Sequence, residues 1–434
     1  MLIDKIEGRT AVIGVIGLGY VGLPLAVEKA KAGFPVIGFD IQEKRVAMVN
    51  EGHNYIGDVV DEDLERLAKS KKLRATADFD LLRECDVMAI CVPTPLDVFK
   101  QPDLSYVIRS AKEISKRLRR DTLVVLESTS YPGTTEDVIK PILEETGMVC
   151  GQDFYLAFSP ERVDPGNLRF KTKNTPKIVG GYGAMSTKIA KSMYEKVLDA
   201  AVFTVSSPKE AEMAKVLENT FRNVNIALIN EMTILAQKMG IDIWEVIEAA
   251  ATKPFGFMPF YPGPGIGGHC IPIDPFYLTY IARKHDSHTR LIEAASEIND
   301  EMPQYILRRL MMLLNESKKC LNGAKIILLG IAYKGDIDDT RESPALKVLE
   351  LLYQAKADVT IVDPYVEAFK WEGIVKRTEP LLRNRVREAD AVLITTAHKK
   401  GVDYRMVCEE ASLVFDTKNI LKTFDVDRSR VFVL

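Results

Sequence analysis

Short runs of consecutive apolar residues alternate with amphipathic stretches along the first half of the chain. The first run, AVIGVI, covers Ala11–Ile16, a helical pattern follows over Val21–Ala32, and PVIGF at Pro35–Phe39 is the next run. Further runs of this kind lie at Val87–Val92, Thr122–Leu126, Phe154–Phe158 and Lys177–Gly181. Strands that are apolar along their whole length are buried on both faces, and helices between them supply the crossovers that parallel strands need. The pattern therefore predicts a parallel sheet with helices on both faces.

The pattern changes at Pro208. From Lys209 to Met239 the chain contains neither glycine nor proline, and Gly240 follows. Proline is favoured as the first residue of a helix and glycine just after its last. A helix of about 30 residues is longer than most in globular proteins, so we expect it to link two domains or to line a subunit interface. A second predicted helix, Ile243–Ala251, ends before a loop rich in proline and glycine, Lys253–Gly268.

The alternation of strands and helices resumes in the last third of the chain. Apolar runs that predict strands lie at Lys325–Leu329, Asp358–Val362, Ala391–Thr395 and Leu413–Phe415. We therefore predict an α/β protein with two doubly wound parallel-sheet domains, joined by a long central helix and a helical dimerisation region. The predicted domains cover residues 1–206, 207–312 and 313–434.

Composition narrows the class of protein. The 434 residues are 47% apolar and 27% charged, with a formal net charge of -3, which argues against a broad nucleic-acid surface. The sequence has no apolar stretch near the roughly 20 residues that cross a bilayer and no signal-peptide pattern at MLIDKIEGRT. The six cysteines form no CxxC pair and the five histidines have no ligand spacing, so no metal site is predicted. We expect a cytoplasmic protein that binds neither nucleic acid nor membrane.

A glycine-rich turn joins the first predicted strand to the first predicted helix. Gly17–Gly22 has the form GxGxxG, and Asp40 follows the second strand, 18 residues beyond Gly22. Such a turn lets a pyrophosphate approach the backbone, and the acidic residue accepts hydrogen bonds from ribose hydroxyls and repels a 2′-phosphate. The alternative is a glycine turn in an α/β protein without a nucleotide, but the full context favours NAD. The predicted cofactor-binding residues here are Gly17, Gly19, Tyr20, Val21, Gly22, Asp40 and Arg45, the last placed over the adenine or on a solvated helix face.

The loop around Cys270 is the second candidate site. It reads PFYPGPGIGGHCIPIDP from Pro259 to Pro275, and glycines before a cysteine leave its sulfur unshielded. A thiolate adds readily to an aldehyde, and the product can lose a hydride to NAD and become a thioester. A single cysteine is more often a small buried residue, but the loop and the dinucleotide turn together favour a nucleophile. His269 either supports the thiolate or points elsewhere, and Asp274 can hydrogen-bond a water or a lysine.

Seven motifs resemble the nucleotide-sugar 6-dehydrogenase family, the UDP-glucose/GDP-mannose dehydrogenases. They occur in order between about residues 11 and 345: GLGYVGLPLA, VPTPLD, ESTSYPGTTED, FSPERVDPG, EAEMAKVLENTFRNVNIALINE, PGPGIGGHCIPIDP and GIAYKGDIDDTRESPA. The resemblance implies a four-electron oxidation of a sugar C6 alcohol to a carboxylate, with two NAD per turnover. It also implies an NAD-binding Rossmann domain, a central dimerisation and catalytic domain, and a Rossmann-like UDP-sugar domain that caps the cleft.

The resemblance assigns catalytic roles to residues of the central region. Cys270 would hold a thiohemiacetal and then a thioester. Lys215 and Asn219, four residues apart and so on one face of the long helix, would stabilise the oxyanion at C6. Asp274 would organise a water and the lysine. Without the resemblance, a helical lysine is usually solvated and a helical asparagine often only bridges neighbouring groups.

Further roles fall on the two flanking domains. Glu161 would be the acid or base near C6, with Thr129 as its water-holding partner. Thr94, Thr129 and, from the third domain, Arg341 would contact the cofactor. Lys334 would reach the bound nucleotide sugar.

The choice of sugar rests on departures from the UDP-glucose branch. That branch has a serine before the cysteine and a lysine soon after it, where this chain has His269 and Ile273. KPFGF, PFYPGPGIGGHCIPIDPFYL and FSPERVDPGN resemble the branch that oxidises UDP-N-acetylhexosamines, and UDP-N-acetylglucosamine 6-dehydrogenases more than UDP-N-acetylmannosamine ones. An acetamido group is larger and more apolar than a hydroxyl, and Arg162, Arg222 and the aromatic loop can surround it or simply pack. The predicted substrate-binding residues are Glu161, Arg162, Lys215, Asn219, Arg222, Phe260, Tyr261, Gly267 and Lys334.

Other functions remain open at this point. UDP-N-acetylmannosamine and UDP-glucose are alternative substrates. A two-electron hydroxy-acid dehydrogenase would leave Cys270 and the third domain without a role. A regulator that only binds NAD or a nucleotide sugar would tolerate loss of Cys270, Lys215 or Asn219, and all three are present. The long helix makes a homodimer or a higher homo-oligomer the expected assembly.

Overall fold

The computed structural model describes residues 1–164, 167 and 169–434. Pro165 and Gly166 of the FSPERVDPG motif therefore lie outside the described residues. The chain divides into two compact units, the first formed by Met1–Glu218 and Phe276–Ser287 and the second by Asn219–Pro275 and His288–Leu434.

In the described part of the first unit, eight strands form one sheet in the order β3-β2-β1-β4-β5-β6-β7-β8. The strands are β1 Ile13–Ile16, β2 Val36–Phe39, β3 Leu73–Thr76, β4 Val87–Ile90, β5 Leu123–Leu126, β6 Tyr155–Phe158, β7 Lys177–Gly181 and β8 Val202–Val205. The helices before the long one are α1 Leu2–Glu7, α2 Gly22–Lys31, α3 Glu43–Glu51, α4 Asp61–Lys69, α5 Ser105–Ser115, α6 Lys140–Glu144 and α7 Gly183–Val197. Shorter helical turns cover Phe79–Glu84, Thr134–Ile139 and Thr172–Asn174.

Two hydrophobic cores cover the two faces of this sheet. Along β4, Val87 and Ala89 belong to the core that includes Leu25 of α2, whereas Met88 and Ile90 belong to the core that includes Val107 of α5. Successive side chains of a strand point to opposite faces, and here both faces are apolar and buried. The doubly wound arrangement predicted from the uninterrupted apolar runs is confirmed.

One pairing departs from the parallel arrangement. Strand β7 lies antiparallel to β6, with Phe158 opposite Gly180. A parallel return needs a long crossover, usually through a helix, whereas the described residues between these strands contain only the short turn Thr172–Asn174 as helix. The two edge strands, β3 and β8, did not emerge from the sequence pattern because both carry exposed residues.

The second unit contains a parallel sheet of five strands among its described residues, in the order β10-β9-β13-β14-β15. These strands are β9 Lys325–Leu329, β10 Asp358–Val362, β13 Ala391–Ile394, β14 Val414–Asp416 and β15 Val431–Val433, and β11 Ala368–Trp371 pairs with β12 Ile374–Arg377 as a separate hairpin. Four of the five strands confirm predicted runs. β15, with all three residues half-buried, and the hairpin were not predicted.

The long helix, α8, covers Pro208–Met239 and has 32 residues. Gly240 follows it with a φ of 69°, a conformation that glycine adopts without strain. The predicted helix over Lys209–Met239 is therefore confirmed. The remaining helices are α9 Ile243–Ala251, α10 Asp274–Lys284, α11 Arg290–Glu316, α12 Pro344–Gln354, α13 Arg383–Glu388 and α14 Tyr404–Glu410, with a shorter turn at Ile420–Thr423. Within the described ranges, no helix has both the length and the apolar character to cross a membrane.

Candidate active site

The three glycines of the first turn serve different purposes. A Cβ added to Gly17 would lie 2.6 Å from the Cys91 carbonyl oxygen, and one added to Gly22 would lie 1.8 Å from the Gly17 carbonyl oxygen. These two glycines are needed for backbone packing. A Cβ on Gly19 meets no atom within 4 Å, so the protein leaves the backbone open there. An open approach at the start of α2 fits the pyrophosphate of NAD.

Asp40 follows β2 and is buried beside this turn. One carboxylate oxygen accepts a hydrogen bond from the Leu18 N–H at 3.0 Å, and the other accepts one from the Gln42 N–H at 2.9 Å. The Arg45 Nη1 atom lies 3.5 Å from Asp40, and the Tyr55 hydroxyl donates to the Leu18 carbonyl oxygen at 2.7 Å. Asp40 and Arg45 thus lie together, and Tyr55 joins them without having been predicted, because no local motif marks it.

The other predicted cofactor residues of this unit lie at the same edge of the sheet. The strand order reverses between β1 and β4, and ligands of open α/β sheets bind beyond the carboxyl ends of strands at such a switch point. Thr94 follows β4, and its carbonyl oxygen accepts a hydrogen bond from the Tyr277 hydroxyl. Thr129 follows β5 and is half-buried, next to Ser128, whose hydroxyl donates to the Val92 carbonyl oxygen at 2.8 Å.

Glu161 lies at this edge too. Leu126 of β5 is opposite Phe158 of β6, so Thr129 and Glu161 each follow a paired residue by three positions. Glu161 Oε1 accepts hydrogen bonds from the backbone N–H groups of Arg162 at 2.8 Å and Val163 at 2.9 Å. The turn after β6 therefore fixes one oxygen of this carboxylate and leaves the other for a different partner.

Arg162 is engaged by a protein carboxylate. Its Nη2 atom lies 2.6 Å from Glu218 Oε1, and its Nη1 donates to the Pro176 carbonyl oxygen at 2.9 Å. The arginine predicted to face the sugar thus forms an ion pair with a residue 56 positions later, which no local pattern could reveal. To contact the substrate, Arg162 has to use its remaining donors or exchange this ion pair for the new contact.

In the second unit, Cys270 is exposed and lies one turn before α10. Its carbonyl oxygen accepts hydrogen bonds from the N–H groups of Ile273 at 3.2 Å and Asp274 at 2.8 Å, and Asp274 is the first residue of α10. The N-terminus of a helix favours nearby negative charge, which suits a thiolate nucleophile. Burial raises the pKa of Cys85 and Cys150 to about 12 and that of Cys408 to about 11. Among the described cysteines only Cys270 and Cys320 are exposed.

Helix α8 holds the Cys270 segment at two points. The Asn219 amide donates to Asp274 Oδ2 at 2.5 Å, and both side chains are buried. One turn later, the Asn223 amide donates to the Ile271 carbonyl oxygen at 3.2 Å. Lys215, one turn before Asn219 on the same helix, is also buried, so neither predicted helix residue is a solvated surface group.

Asn223 was not predicted, and two further buried asparagines extend its role. Asn230 donates to Asn299 at 2.9 Å and accepts from the Gly263 N–H at 3.2 Å, while Asn299 donates to the Asn223 carbonyl oxygen at 3.2 Å. These amides tie the start of the cysteine loop to α8 and α11. Asn223 lies four residues after Asn219, and Asn230 lies seven residues after Asn223, so the three share one face of the helix; this spacing would have been the signal.

The aromatic residues of the loop pack on neighbours within the second unit. Phe260 meets Phe221 edge-on at 5.8 Å between ring centroids, and Tyr261 stacks on Trp244 at 5.7 Å. Arg222, the other residue predicted for the acetamido group, is exposed on α8. Packing and substrate contact are compatible here, because Tyr261 keeps 48% of its surface exposed.

The segment after β9 lies against the cysteine loop. A Cβ on Gly267 would lie 2.6 Å from Tyr333 Cβ and 2.9 Å from the Glu342 carbonyl oxygen, so the absence of a side chain permits this contact. Lys334, next to Tyr333, is half-buried. The loop that carries Gly267 and the segment that carries Lys334, both predicted to bind substrate, are therefore in contact.

Arg341 and His269 lie beside the contact between the cysteine loop and the segment after β9. The Gly268 N–H donates to the Arg341 carbonyl oxygen at 3.3 Å, and the Arg341 guanidinium makes a two-point ion pair with Asp339 at 2.5 and 2.8 Å. Desolvation and the nearby Arg341 lower the pKa of His269. The direction of this shift disfavours a charged imidazole, and the role of His269 stays a prediction.

Family models and known proteins match the chain over most of its length. The UDP-glucose/GDP-mannose dehydrogenase family matches with its NAD binding domain at residues 11–198, its central domain at 209–301 and its UDP binding domain at 327–423. A UDP-N-acetyl-D-glucosamine 6-dehydrogenase of Pseudomonas aeruginosa is 38% identical over 82% of this chain and 83% of that protein. The enzyme of that name from Salmonella typhi is 34% identical over 94% and 96%. The solved structure of a UDP-D-ManNAc dehydrogenase from Pyrococcus horikoshii superposes with a TM-score of 0.88 at 36% identity, covering 97% of this chain and 98% of that one.

Proposed function

The chain belongs to the UDP-glucose/GDP-mannose dehydrogenase family and is an NAD-dependent nucleotide-sugar dehydrogenase, and on this basis we propose that it oxidises a UDP-N-acetylhexosamine at C6, in the first place UDP-N-acetylglucosamine, to the carboxylate. The observation that carries the proposal is the exposed Cys270, whose segment is held by Asn219 and Asp274. A dehydrogenase that stops at the aldehyde needs no nucleophile.

The first oxidation converts the C6 alcohol to an aldehyde. Lys215 and Asn219 stabilise the negative charge that develops on the C6 oxygen as its proton leaves. One N–H of the Asn219 amide is committed to Asp274 at 2.5 Å, which leaves the second N–H for the substrate oxygen. Bound NAD would supply the hydride acceptor, with one NAD⁺ consumed in each of the two oxidations.

Cys270 makes the second oxidation possible. Its thiolate adds to the aldehyde carbon, and the resulting thiohemiacetal has a C6 hydrogen that leaves as hydride, so the product is a thioester. The same Lys215 and Asn219 donors serve the tetrahedral oxygen. Because Ile273 and Asp274 anchor the Cys270 carbonyl oxygen, the sulfur attacks from a fixed backbone position.

Hydrolysis completes the reaction. Glu161 takes a proton from a water held by Thr129, the hydroxide attacks the thioester, and the cysteine leaves as the thiolate. Overall one alcohol, one water and two NAD⁺ give one carboxylate, two NADH and three protons. Asp274 keeps Asn219 oriented through all the steps and organises the water and Lys215.

The proposed binding residues come from both units. Cofactor contacts are assigned to Gly17, Gly19, Tyr20, Val21, Gly22, Asp40, Arg45, Thr94, Thr129 and Arg341. Substrate contacts are assigned to Glu161, Arg162, Lys215, Asn219, Arg222, Phe260, Tyr261, Gly267 and Lys334. The proposal keeps the three predicted domains, 1–206, 207–312 and 313–434, with the nucleotide part of the sugar donor assigned to the third.

The proposal has two candidate substrates. The relatives from Pseudomonas aeruginosa and Salmonella typhi support UDP-N-acetylglucosamine, whereas the Pyrococcus horikoshii structure supports UDP-N-acetylmannosamine. We expect kcat/KM for UDP-N-acetylglucosamine to exceed that for UDP-N-acetylmannosamine and UDP-glucose by at least tenfold. A preference for UDP-N-acetylmannosamine would make it the proposed substrate. A preference for UDP-glucose would contradict the proposal that the protein has a pocket for an acetamido group.

The assembly proposed is a homodimer or a higher homo-oligomer, and the setting proposed is the cytoplasm, where NAD and UDP-sugars are available. On the second-unit part of α8, Phe221, Leu228 and Leu235 recur every seven residues and are 47%, 50% and 48% exposed. Large apolar side chains repeated on one helix face favour burial against another surface. A second copy of this chain is the proposed partner.

A further inference from the structure

A buried cluster of charges lies behind the carboxyl ends of β5 and β6. Glu127 directly follows β5 and is fully buried. Its oxygens accept hydrogen bonds from three donors. These are Lys29 Nζ on α2 at 3.1 Å, Lys177 Nζ on β7 at 2.9 Å and the Tyr194 hydroxyl on α7 at 2.7 Å. Two buried ammonium groups thus share one carboxylate, which leaves an excess positive charge inside the protein.

The two lysines differ in what else they reach. Lys177 Nζ also donates to the Pro160 carbonyl oxygen at 3.2 Å and lies 3.8 Å from Glu161 Oε2. Lys29 has no such contact to the turn after β6 among the described residues; besides Glu127, it lies 5.7 Å from the Tyr194 ring centroid. Of the two lysines, therefore, only Lys177 brings positive charge close to Glu161.

We propose that Lys177 is a positioning residue for Glu161: fixed by Glu127, its ammonium group holds the Pro160 peptide and orients the Glu161 carboxylate. The inference rests on the acid or base role proposed for Glu161. The Arg162 and Val163 N–H groups fix Glu161 Oε1, and Lys177 attracts Oε2, so both oxygens have a defined direction.

The charged and titratable groups that the structure describes around Lys177 fit this arrangement. Burial works against ionisation of Glu127, but Lys177 and Lys29 hold its pKa below the ordinary value. Burial likewise opposes the charge on Lys177, but Glu127 and Glu161 raise its pKa. Burial raises the pKa of Tyr194 and of Cys91, so both remain neutral and the ion pairs carry the local charge.

The test compares Lys177→Met with Lys29→Met in the NAD-loaded enzyme with its UDP-sugar. Each variant removes one ammonium group from Glu127, so both lose thermal stability. Only Lys177→Met withdraws the charge beside Glu161, because only Lys177 approaches it. We expect the acidic limb of its kcat profile to move up by about one pH unit, and kcat to fall at least tenfold with KM values within about threefold. We expect Lys29→Met to leave the acidic limb of the kcat profile unchanged.

Equal pH profiles for the two variants would overturn the proposal, since Lys177 would then serve stability only. If Lys177→Met does not fold, Lys177→Gln keeps a donor for Glu127 and Pro160 but no charge, and is expected to show the same shift. A double-mutant cycle of Lys177→Gln with Glu161→Gln on the unfolding equilibrium needs no substrate. We expect a coupling of about fivefold and none for Lys29→Gln with Glu161→Gln. The cycle separates a failure of this inference from a failure of the proposed function, which the activity of the unaltered enzyme tests.

Discussion

The Asn219 amide donates to Asp274 Oδ2 at 2.5 Å, and this contact joins the long helix to the first residue of the helix that follows Cys270. Both side chains are at most 5% exposed. A carboxylate only accepts hydrogen bonds, whereas an amide donates as well. The residue at position 219 must therefore be a donor for the pair to form, and its remaining N–H is then oriented by Asp274.

Replacing Asn219 by aspartate tests this relationship. Asn219→Asp places two buried carboxylates against each other, so we expect a fall in kcat of about a hundredfold and a lower melting temperature. Steady-state NADH formation and thermal unfolding measure the two effects. The control is Asn225→Ala, on the same helix, where among the described residues the amide donates to the Phe221 carbonyl oxygen and kcat should stay within about twofold. Equal losses in both variants would remove the special role of position 219.

The open backbone at Gly19 yields a prediction that separates binding from folding. A Cβ there meets no protein atom within 4 Å, so Gly19→Ala should leave the melting temperature unchanged. The methyl group would occupy the proposed path of the pyrophosphate, and we expect the Kd for NAD to rise at least tenfold. Gly57→Ala is the control, because its added Cβ also meets nothing within 4 Å, and neither quantity should change. Unaltered NAD affinity in Gly19→Ala would mean that the cofactor binds elsewhere.

Glu212 on α8 predicts a pH dependence of stability. Its carboxyl group accepts from the Gly133 N–H at 2.6 Å and from the Thr135 N–H at 2.9 Å, yet burial raises its pKa to about 7. The folded chain therefore holds this proton at pH values where the unfolded chain has released it. Its stabilising effect is complete below about pH 4.5 and is lost as the pH rises through 7, a change of about 3 kcal/mol.

Glu212→Gln removes this titration. Urea unfolding at pH 5 and pH 8 should show a smaller loss of unfolding free energy with rising pH in the variant than in the parent. Glu231→Gln, at an exposed position of the same helix, controls for the change in net charge. The same pH dependence in parent and Glu212→Gln would show that Glu212 titrates as it does in the unfolded chain.

The exposed apolar stripe on α8 predicts an interface. Leu228→Glu places a charge in the middle of Phe221, Leu228 and Leu235, and we expect light scattering after gel filtration to show a smaller assembly. Leu291→Glu makes the same substitution at another exposed leucine, 68% exposed on α11, and should leave the mass unchanged. An unchanged mass for Leu228→Glu would place the subunit contact, if any, on another face.

The sequence predicted best what local patterning determines. The strands β7, β9 and β10 and the helix α9 have the predicted bounds to the residue, and α8 begins one residue earlier than predicted. The strands it missed are edge strands such as β3 and β8, or the β11–β12 hairpin, whose exposed residues interrupt the apolar pattern. Exposure on one side removes the continuous run that marks a central strand.

In the candidate site, the sequence did not reveal contacts between residues that are far apart along the chain. Motifs indicated Gly19 and Cys270 through short spacings along the chain, and the family resemblance implied Asn219. They did not indicate that Arg162 pairs with Glu218 or that Lys177 meets Glu161, 16 residues earlier. Such contacts depend on strand order and register, and a lysine in a sequence carries no mark of whether it is buried.

The number of NADH molecules formed per UDP-sugar consumed tests the central claim most directly. With limiting UDP-N-acetylglucosamine and excess NAD, absorbance at about 340 nm should correspond to two NADH per sugar, because the proposed thiohemiacetal at Cys270 would lose a second hydride and become a thioester. Cys270→Ser should lose this turnover, while Cys320→Ser, at the other exposed cysteine, should retain it. One NADH per sugar in the parent, or full turnover in Cys270→Ser, would contradict the covalent four-electron mechanism.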